Sequence, residues 1–113
     1  QCRKTSGHYV AATSAAREAV AVSGEVTWFQ SSDTARRGFC AVCGSNLFWD
    51  GAGDNLSIFA GTLDGATGLK SAGHIFVADK GDYYGVADGL PQAAQDDEDI
   101  TTMVRLDNEG END

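Results

Sequence analysis

The sequence predicts an all-β, mainly antiparallel fold, and three observations carry that prediction. Short runs rich in Val, Thr, Trp and Phe recur at intervals of roughly ten residues, as they do in small antiparallel domains. Turn segments and 14 glycines separate these runs, which favours short strands over long helices. The length of 113 residues and the lack of internal repeats indicate one domain around one core.

Three predicted segments precede the cysteine-containing part of the chain. Residues 9–13 are predicted as a first strand. Residues 17–22 are open to two interpretations, a second strand or a short helix that continues the alanines before them. Residues 26–30, Val-Thr-Trp-Phe-Gln, combine β-branched and aromatic side chains and are strongly strand-forming. Turn segments at residues 23–25 and 31–34 bound this strand.

The next two segments form a predicted hairpin. Residues 35–39 lead as an extended segment into a tight turn, and residues 46–49 leave that turn as a strand. The turn contains Cys40 and Cys43, and Gly44 suits a position with positive φ. We therefore expect the two thiols at the tip of the hairpin.

Two further strands are predicted in the second half of the chain. Residues 56–60 have Ile and Phe at their centre, and residues 74–78, His-Ile-Phe-Val-Ala, follow a glycine-rich loop. We expect the large aromatic side chains to form the core: Trp28, Phe39, Phe48, Trp49, Phe59 and Phe76.

The net charge of −9 is concentrated at the C-terminal end of the chain. Residues 96–113 contain eight acidic side chains and one arginine, whereas residues 1–95 carry only −2. This distribution argues against nucleic acid as the main partner, because phosphate binding needs clustered Lys and Arg. We expect a domain over residues 1–95 and an acidic tail over residues 96–113. The tail is either solvated or packed through its apolar side chains, Ile100, Met103, Val104 and Leu106.

Hydropathy and cysteine content indicate the compartment. No apolar run approaches the roughly 18 residues needed to cross a bilayer, and no signal-peptide pattern is present. Three cysteines are an odd number, which is unusual for a secreted disulfide-bonded domain and fits metal-held thiolates better. We therefore expect a soluble, cytoplasmic protein with no membrane partner.

The segment Cys40-Ala41-Val42-Cys43 is a candidate half of a metal site. Two intervening residues let both sulfurs face one ion while the N–H groups of the turn point toward the sulfurs. Structural zinc takes four ligands, so this pair supplies two of them. A redox pair and two inert buried cysteines remain as alternatives. The redox alternative is disfavoured, because a strand pattern rather than a helix follows the second cysteine.

A second group of reactive side chains lies at the start of the chain, in Cys2-Arg3-Lys4-Thr5-Ser6-Gly7-His8. Cations lower the pKa of a nearby thiol, and the same side chains can bind an anionic substrate through charge-assisted hydrogen bonds. The alternative is an exposed basic terminus. His74 has two interpretations as well: a satisfied histidine at a strand edge, or a ligand or proton carrier.

Together these segments resemble the glutathione-dependent formaldehyde-activating enzyme family, which also includes centromere protein V. The order and spacing of the segments carry the resemblance, since each segment alone is short. The matching segments are residues 2–7, 24–29, 31–40, 40–47, 60–64, 74–80 and 88–91. The resemblance implies an antiparallel β domain, tent-like or barrel-like with irregular loops, that holds two zinc ions.

The resemblance also implies roles for individual residues. Cys40 and Cys43 would be ligands of a structural zinc, and Cys2 would be the last ligand of a catalytic zinc. We expect the substrate to be contacted by Arg3, Lys4, Ser6 and His74. The other cysteines of both sites would precede Gln1, so we expect residues 1–113 alone to bind zinc weakly and to be inactive.

The activity that the resemblance implies is carbon–sulfur lyase chemistry on a small thiol substrate. Glutathione and formaldehyde would be joined to S-hydroxymethylglutathione, with zinc as the cofactor that polarises the thiol or the carbonyl. Because fold and zinc alone do not determine chemistry, a non-catalytic zinc-stabilised binding module is the alternative.

Overall fold

In a computed structural model of the chain, residues 1–101 are described. They belong to two compact units. One unit is Ala11–Asp64, and the other combines Gln1–Val10 with the residues from Gly65 onward.

Unit Ala11–Asp64 is built on a five-stranded antiparallel sheet. The strand order across the sheet is β1-β5-β4-β3-β2, and each neighbouring pair is antiparallel. Strands β2 to β5 follow one another as a meander, and β1 pairs with β5. The prediction of an all-β, mainly antiparallel fold is confirmed. The strands are β1 (Ala12–Ala16), β2 (Thr27–Gln30), β3 (Arg36–Phe39), β4 (Asn46–Asp50) and β5 (Asn55–Phe59).

Four of the predicted strands are confirmed, with bounds that differ by one residue at most. They correspond to β2, β3, β4 and β5. Aromatic side chains favour the extended backbone in β2, β4 and β5, whereas β3, Arg-Arg-Gly-Phe, is held by pairing with a strand on each side. The strand predicted at residues 9–13 is displaced, since β1 is Ala12–Ala16 and pairs with all of β5. Residues 17–22 are not a strand: Arg17–Ala19 forms a 3₁₀ turn, closer to the alternative of a short helix.

The second unit contains little regular structure in its described part. It has a short helix α1 (Cys2–Ser6), a 3₁₀ turn at Val77–Asp79 and a short helix α2 (Glu98–Thr101). The strand predicted at residues 74–78 is wrong. Phe76 has a φ of 54°, a left-handed conformation that breaks an extended run. His74 instead forms an isolated parallel bridge with Gln92.

The start of the acidic tail packs within this second unit. Ile100, on α2, lies against Gly73, where an added Cβ would be 2.9 Å from Cγ2 of Ile100. The other apolar side chains named for the tail, Met103, Val104 and Leu106, lie outside the described residues.

The buried apolar core is small among the described residues. Ala35, Leu56 and Phe59 have exposed fractions of 6%, 5% and 7%. The prediction that all the large aromatic side chains belong to the core is wrong for Trp49 and Phe76, which are 39% and 45% exposed. Trp49 is excluded because alternate residues of a strand face opposite sides of the sheet, and Phe76 lies on the irregular segment.

Gly38 leaves room for two aromatic rings on one face of the sheet. It pairs with Trp28 on β2 and Phe48 on β4, and these two rings stack at a centroid distance of 6.2 Å. A Cβ on Gly38 would lie 2.8 Å from Cγ1 of Val26 and 3.0 Å from Cζ3 of Trp28. The close packing of these side chains therefore requires glycine.

We predict that Gly38→Ala destabilises the protein by about 1–3 kcal/mol, because the added methyl group forces the rings or the strand to move. Gly53→Ala is the matched control, since no atom lies within 4 Å of its added Cβ, and we expect a change of at most about 0.5 kcal/mol. Urea unfolding measures both free energies. Equal unfolding midpoints for the two variants would contradict the prediction.

Asp50 links three segments of the sheet unit. Nη2 of Arg17 donates a hydrogen bond to Oδ1 at 2.8 Å, and Nε of Arg36 donates to Oδ2 at 3.1 Å. The N–H of Ala52 also donates to Oδ1 at 2.8 Å. The hydrogen bond from Arg17 is the main reason that the pKa of the buried Asp50 carboxyl falls to about 2. The Arg36 guanidinium also lies 3.8 Å from the centroid of the Trp28 ring.

Candidate functional site

The turn between β3 and β4, residues 40–45, is called the knuckle. Its backbone is closed by two hydrogen bonds, from the N–H of Gly44 to the carbonyl of Cys40 at 2.7 Å and from the N–H of Cys40 to the carbonyl of Ser45 at 3.0 Å. Gly44 has a φ of 78°, the left-handed conformation that glycine adopts without strain. The predicted hairpin with Cys40 and Cys43 at its tip is confirmed.

The two knuckle thiols share a local hydrogen-bond network. Sγ of Cys43 lies 3.1 Å from Oγ of Ser45. This hydrogen bond is the largest cause of a lowered pKa of the Cys43 thiol, and the Ser45 backbone and the Cys40 side chain contribute further. Hydrogen bonds to sulfur favour the thiolate, which is the form that binds metals. Sequence reasoning missed Ser45, although a hydroxyl two residues after a thiol is a visible signal.

The knuckle borders an open depression of about 590 Å³. Cys40 is half-buried and Cys43 is exposed, so the interpretation of two inert buried cysteines is wrong. Thiolates are donors that zinc prefers, so the pair fits a zinc site in donor type. Within residues 1–101 no three His, Cys, Asp or Glu side chains come together as a metal-binding group. The depression is lined by Glu25, Cys40, Cys43, Ser45, Asn46, Leu47, Gly61 and Thr62.

The reactive N-terminal segment folds as helix α1, which was not predicted from the sequence. Its end is fixed by Gly7, whose φ is 71° and whose N–H donates to the carbonyl of Arg3 at 2.8 Å. Cys2 is half-buried, whereas Arg3 and Lys4 are exposed. The Ser6 hydroxyl lies 2.8 Å from the carbonyl of Cys2 and 2.7 Å from that of His8. Four of the predicted site residues therefore share one short helix: Cys2, Arg3, Lys4 and Ser6.

His74 is paired with an acidic side chain. Its Nε2 shares a hydrogen bond with Oδ2 of Asp88 at 2.6 Å, and only 10% of the His74 side chain is exposed. This bond is the main reason that the pKa of the exposed Asp88 carboxyl is lowered. His74 is therefore a satisfied histidine, although not at a strand edge. Asp88 was not named as a site residue, because no local signal connects positions 14 residues apart.

Aromatic rings surround the segment that follows α1. The His8 ring contacts the rings of both Tyr9 and Tyr84, with centroid distances of 4.1 Å and 4.3 Å. The Tyr9 ring meets the His74 ring edge-on at 5.2 Å. Nζ of Lys80 donates to the carbonyl of Tyr84 at 2.9 Å and lies 5.5 Å from the centroid of its ring. The second unit thus holds residues 8 and 9 through aromatic contacts.

The two groups of predicted site residues lie in different units. The knuckle is in unit Ala11–Asp64, and α1 and His74 are in the other. Among the described helices, none has the length and apolar character needed to cross a membrane.

Comparison with known proteins identifies the family. The family model for the glutathione-dependent formaldehyde-activating enzyme matches residues 1–79, more than two thirds of the 113-residue chain. The matched range includes α1 and the knuckle and ends before the 88–91 segment. Searches of curated proteins and of solved structures found no significant match. The chain therefore belongs to the glutathione-dependent formaldehyde-activating enzyme family.

Proposed function

We propose that this protein is a zinc-dependent carbon–sulfur lyase-like enzyme that acts on glutathione, or a related small thiol, and formaldehyde. One observation carries the proposal: the family match contains both thiol-bearing segments, α1 with Cys2 and the knuckle with Cys40 and Cys43. The three cysteines form no disulfide with one another, which leads us to propose a cytoplasmic location.

The knuckle thiols would hold a structural zinc. Cys40 and Cys43 supply two donors of the right type, and further donors would have to join them, since residues 1–101 contain no group of three His, Cys, Asp or Glu side chains placed to hold a metal. Cys2 would be a ligand of a second, catalytic zinc. When bound there, zinc supplies Lewis acidity and favours the thiolate form of a coordinated thiol.

The residues of α1 would recognise the substrate and orient it. In the reaction, a carbon–sulfur bond forms between glutathione and formaldehyde, the carbonyl π bond breaks, and the thiol proton ends on the new hydroxyl group. Arg3 and Lys4 are exposed on α1 and would bind the glutathione carboxylates. Ser6 would donate a hydrogen bond to substrate after leaving its backbone partners. His74 would carry a proton on the ring nitrogen that does not contact Asp88.

Two observations favour the second candidate function, a non-catalytic zinc-stabilised binding module. The Ser6 hydroxyl is already engaged with the carbonyls of Cys2 and His8. The His74 side chain is nine-tenths buried and paired with Asp88. Both groups are therefore less available to a substrate than Arg3 and Lys4 are.

The test measures thiol–formaldehyde adduct formation by the zinc-loaded, full-length gene product. The adduct also forms without a catalyst. NMR therefore measures the rate of exchange between free thiol and adduct, and the rate without protein is subtracted. We expect acceleration by the parent protein and its loss in Cys2→Ser. Acceleration that survives in Cys2→Ser would contradict the catalytic role. Zinc-loaded parent protein without any acceleration would favour the binding module.

Substrate recognition is tested with a charge-removing variant. We predict that Arg3→Gln raises KM for glutathione about twofold to fivefold, the usual range for an exposed ion pair. 2-Mercaptoethanol is the control thiol, because it lacks carboxylates and its KM should stay unchanged. Equal changes for both thiols would show that Arg3 does not bind the carboxylates.

A further inference from the structure

Tyr83 is connected directly to the end of helix α1. Its hydroxyl donates a hydrogen bond to the carbonyl of Gly7. Gly7 terminates α1 in a left-handed conformation and donates its own N–H to the carbonyl of Arg3. The Tyr83 hydroxyl therefore holds the residue that fixes how α1 ends. Both residues belong to the same compact unit, although 76 positions separate them in the sequence.

The position of the Tyr83 ring depends on a glycine. Gly81 is buried, and a Cβ added to it would lie 2.7 Å from both Cε1 and Cζ of the ring. The ring therefore lies directly over the Gly81 backbone. Tyr83 is otherwise 64% exposed, so its orientation is fixed mainly by Gly81, by the Tyr84 ring at a centroid distance of 5.4 Å and by the Gly7 hydrogen bond.

The loop that carries Tyr83 is itself held in place. Nζ of Lys80 donates to the carbonyls of Gly81 at 3.2 Å and Tyr84 at 2.9 Å. The Tyr84 ring contacts the His8 ring, directly after Gly7. The loop at residues 80–84 therefore fastens residues 7 and 8 at two adjacent points, one polar and one aromatic.

We infer that Tyr83 is a positioning residue for the α1 segment that carries Cys2, Arg3 and Lys4. The inference rests on the proposed function for what that segment does with a substrate, whereas the anchoring is a property of the fold. Tyr83 does not itself contact the substrate. Its hydroxyl restricts the motion of α1 and so keeps the thiol and the two cations in a constant arrangement, which reduces the entropy lost on binding.

The first experiment measures the anchoring in the metal-free, full-length protein. Tyr83→Phe removes only the hydroxyl, and we expect hydrogen exchange of the amides at residues 5–9 to rise about threefold to tenfold, as for the loss of one hydrogen bond. Alkylation of Cys2 by iodoacetamide should accelerate by a similar factor, with Cys43 in the same molecules as the internal reference. Amides of β4 and β5 should exchange as in the parent.

Two further variants keep the result interpretable. Gly81→Ala displaces the ring without changing Tyr83, and it should reproduce the faster exchange at residues 5–9. Tyr84→Phe keeps the ring that contacts His8 and should exchange as the parent does. Unchanged exchange and alkylation in Tyr83→Phe would overturn the inference. An equal rise in β4 and β5 would overturn it too, since it would indicate general destabilisation.

The second experiment separates positioning from a purely structural role. In the zinc-loaded full-length protein, Tyr83→Phe should raise KM for glutathione a few-fold and leave kcat within twofold. An unchanged KM, with faster exchange at residues 5–9, would overturn the functional part of the inference. If the parent protein shows no thiol chemistry, the proposed function fails, while the exchange data still decide whether Tyr83 anchors α1.

Discussion

Replacing Asp50 with alanine should destabilise the protein by about 2–4 kcal/mol, with a loss of Tm on the order of 10–20 °C. The carboxylate is 7% exposed and accepts hydrogen bonds from Arg17, Arg36 and Ala52. Alanine would leave two guanidinium groups together without their shared counter-charge. It would also remove the acceptor of the Ala52 N–H in the turn that follows β4.

The same carboxylate should make stability depend on pH in the acid range. Its pKa falls from 3.8 to about 2, which corresponds to roughly 2 kcal/mol of stabilisation by the charged form. Because the pKa is lower in the folded than in the unfolded state, this contribution is fully present above about pH 5. It disappears as the pH falls through 4 toward 2, where the folded protein also takes up the proton.

Two variants isolate the Asp50 contribution. Asp54→Ala removes an exposed carboxylate of the following turn and should change stability by at most about 0.5 kcal/mol. Asp50→Asn keeps the side-chain size but loses the charge, so its stability should fall by roughly 2 kcal/mol less between pH 5 and pH 2 than that of the parent. Urea unfolding at both pH values measures these differences. A parent-like acid dependence in Asp50→Asn would refute this assignment.

The sequence was most informative where local propensity and tertiary structure agree. Each of the strands β2 to β5 contains at least one aromatic residue and is bounded by turn residues, so their bounds could be predicted closely. The knuckle could be predicted for the same reason, since the spacing of Cys40 and Cys43 and the glycine after them require a tight turn. These features depend on residues that are neighbours in the sequence.

Prediction from the sequence failed where distant residues decide the conformation. The apolar run at residues 74–78 has strand propensity, but Phe76 is left-handed and His74 is held by Asp88 and bridged to Gln92. Nothing local marks these partners. Asp50 was missed for the same reason, because one of its arginine partners is 33 positions away.

The candidate site shows the same difference between local features, which the sequence reveals, and long-range contacts, which it does not. The reactive composition of residues 2–8 was visible, yet their helical conformation and the attachment of Gly7 to Tyr83 were not. The attachment joins residues 76 positions apart. Local composition thus suggested candidate site residues, while the contacts that orient them required the three-dimensional structure.

Zinc should stabilise the full-length protein through the knuckle, and this effect should disappear in Cys43→Ser. At a free zinc concentration 100-fold above Kd, binding to the folded state alone adds about 2.7 kcal/mol, or a rise in Tm on the order of 10 °C. Cys43 is exposed, so its replacement by serine should change the Tm of the metal-free protein by only a few degrees. The loss of the Cys43 sulfur should therefore reduce the zinc-dependent rise in Tm and leave the packing of the metal-free protein unchanged.

Two further variants in the same turn serve as a control and as a second test of zinc binding. The Val42 side chain is 96% exposed, so Val42→Ser should leave the zinc-dependent rise in Tm unchanged. Ser45→Ala removes the hydroxyl that lies 3.1 Å from the Cys43 sulfur, and it should weaken zinc affinity about tenfold, as the loss of an outer hydrogen bond to a ligand does. Differential scanning fluorimetry with buffered zinc and with EDTA measures all four proteins. A full zinc response in Cys43→Ser, or none in the parent protein, would rule out the knuckle as a zinc site, because the response depends on both sulfurs binding one ion.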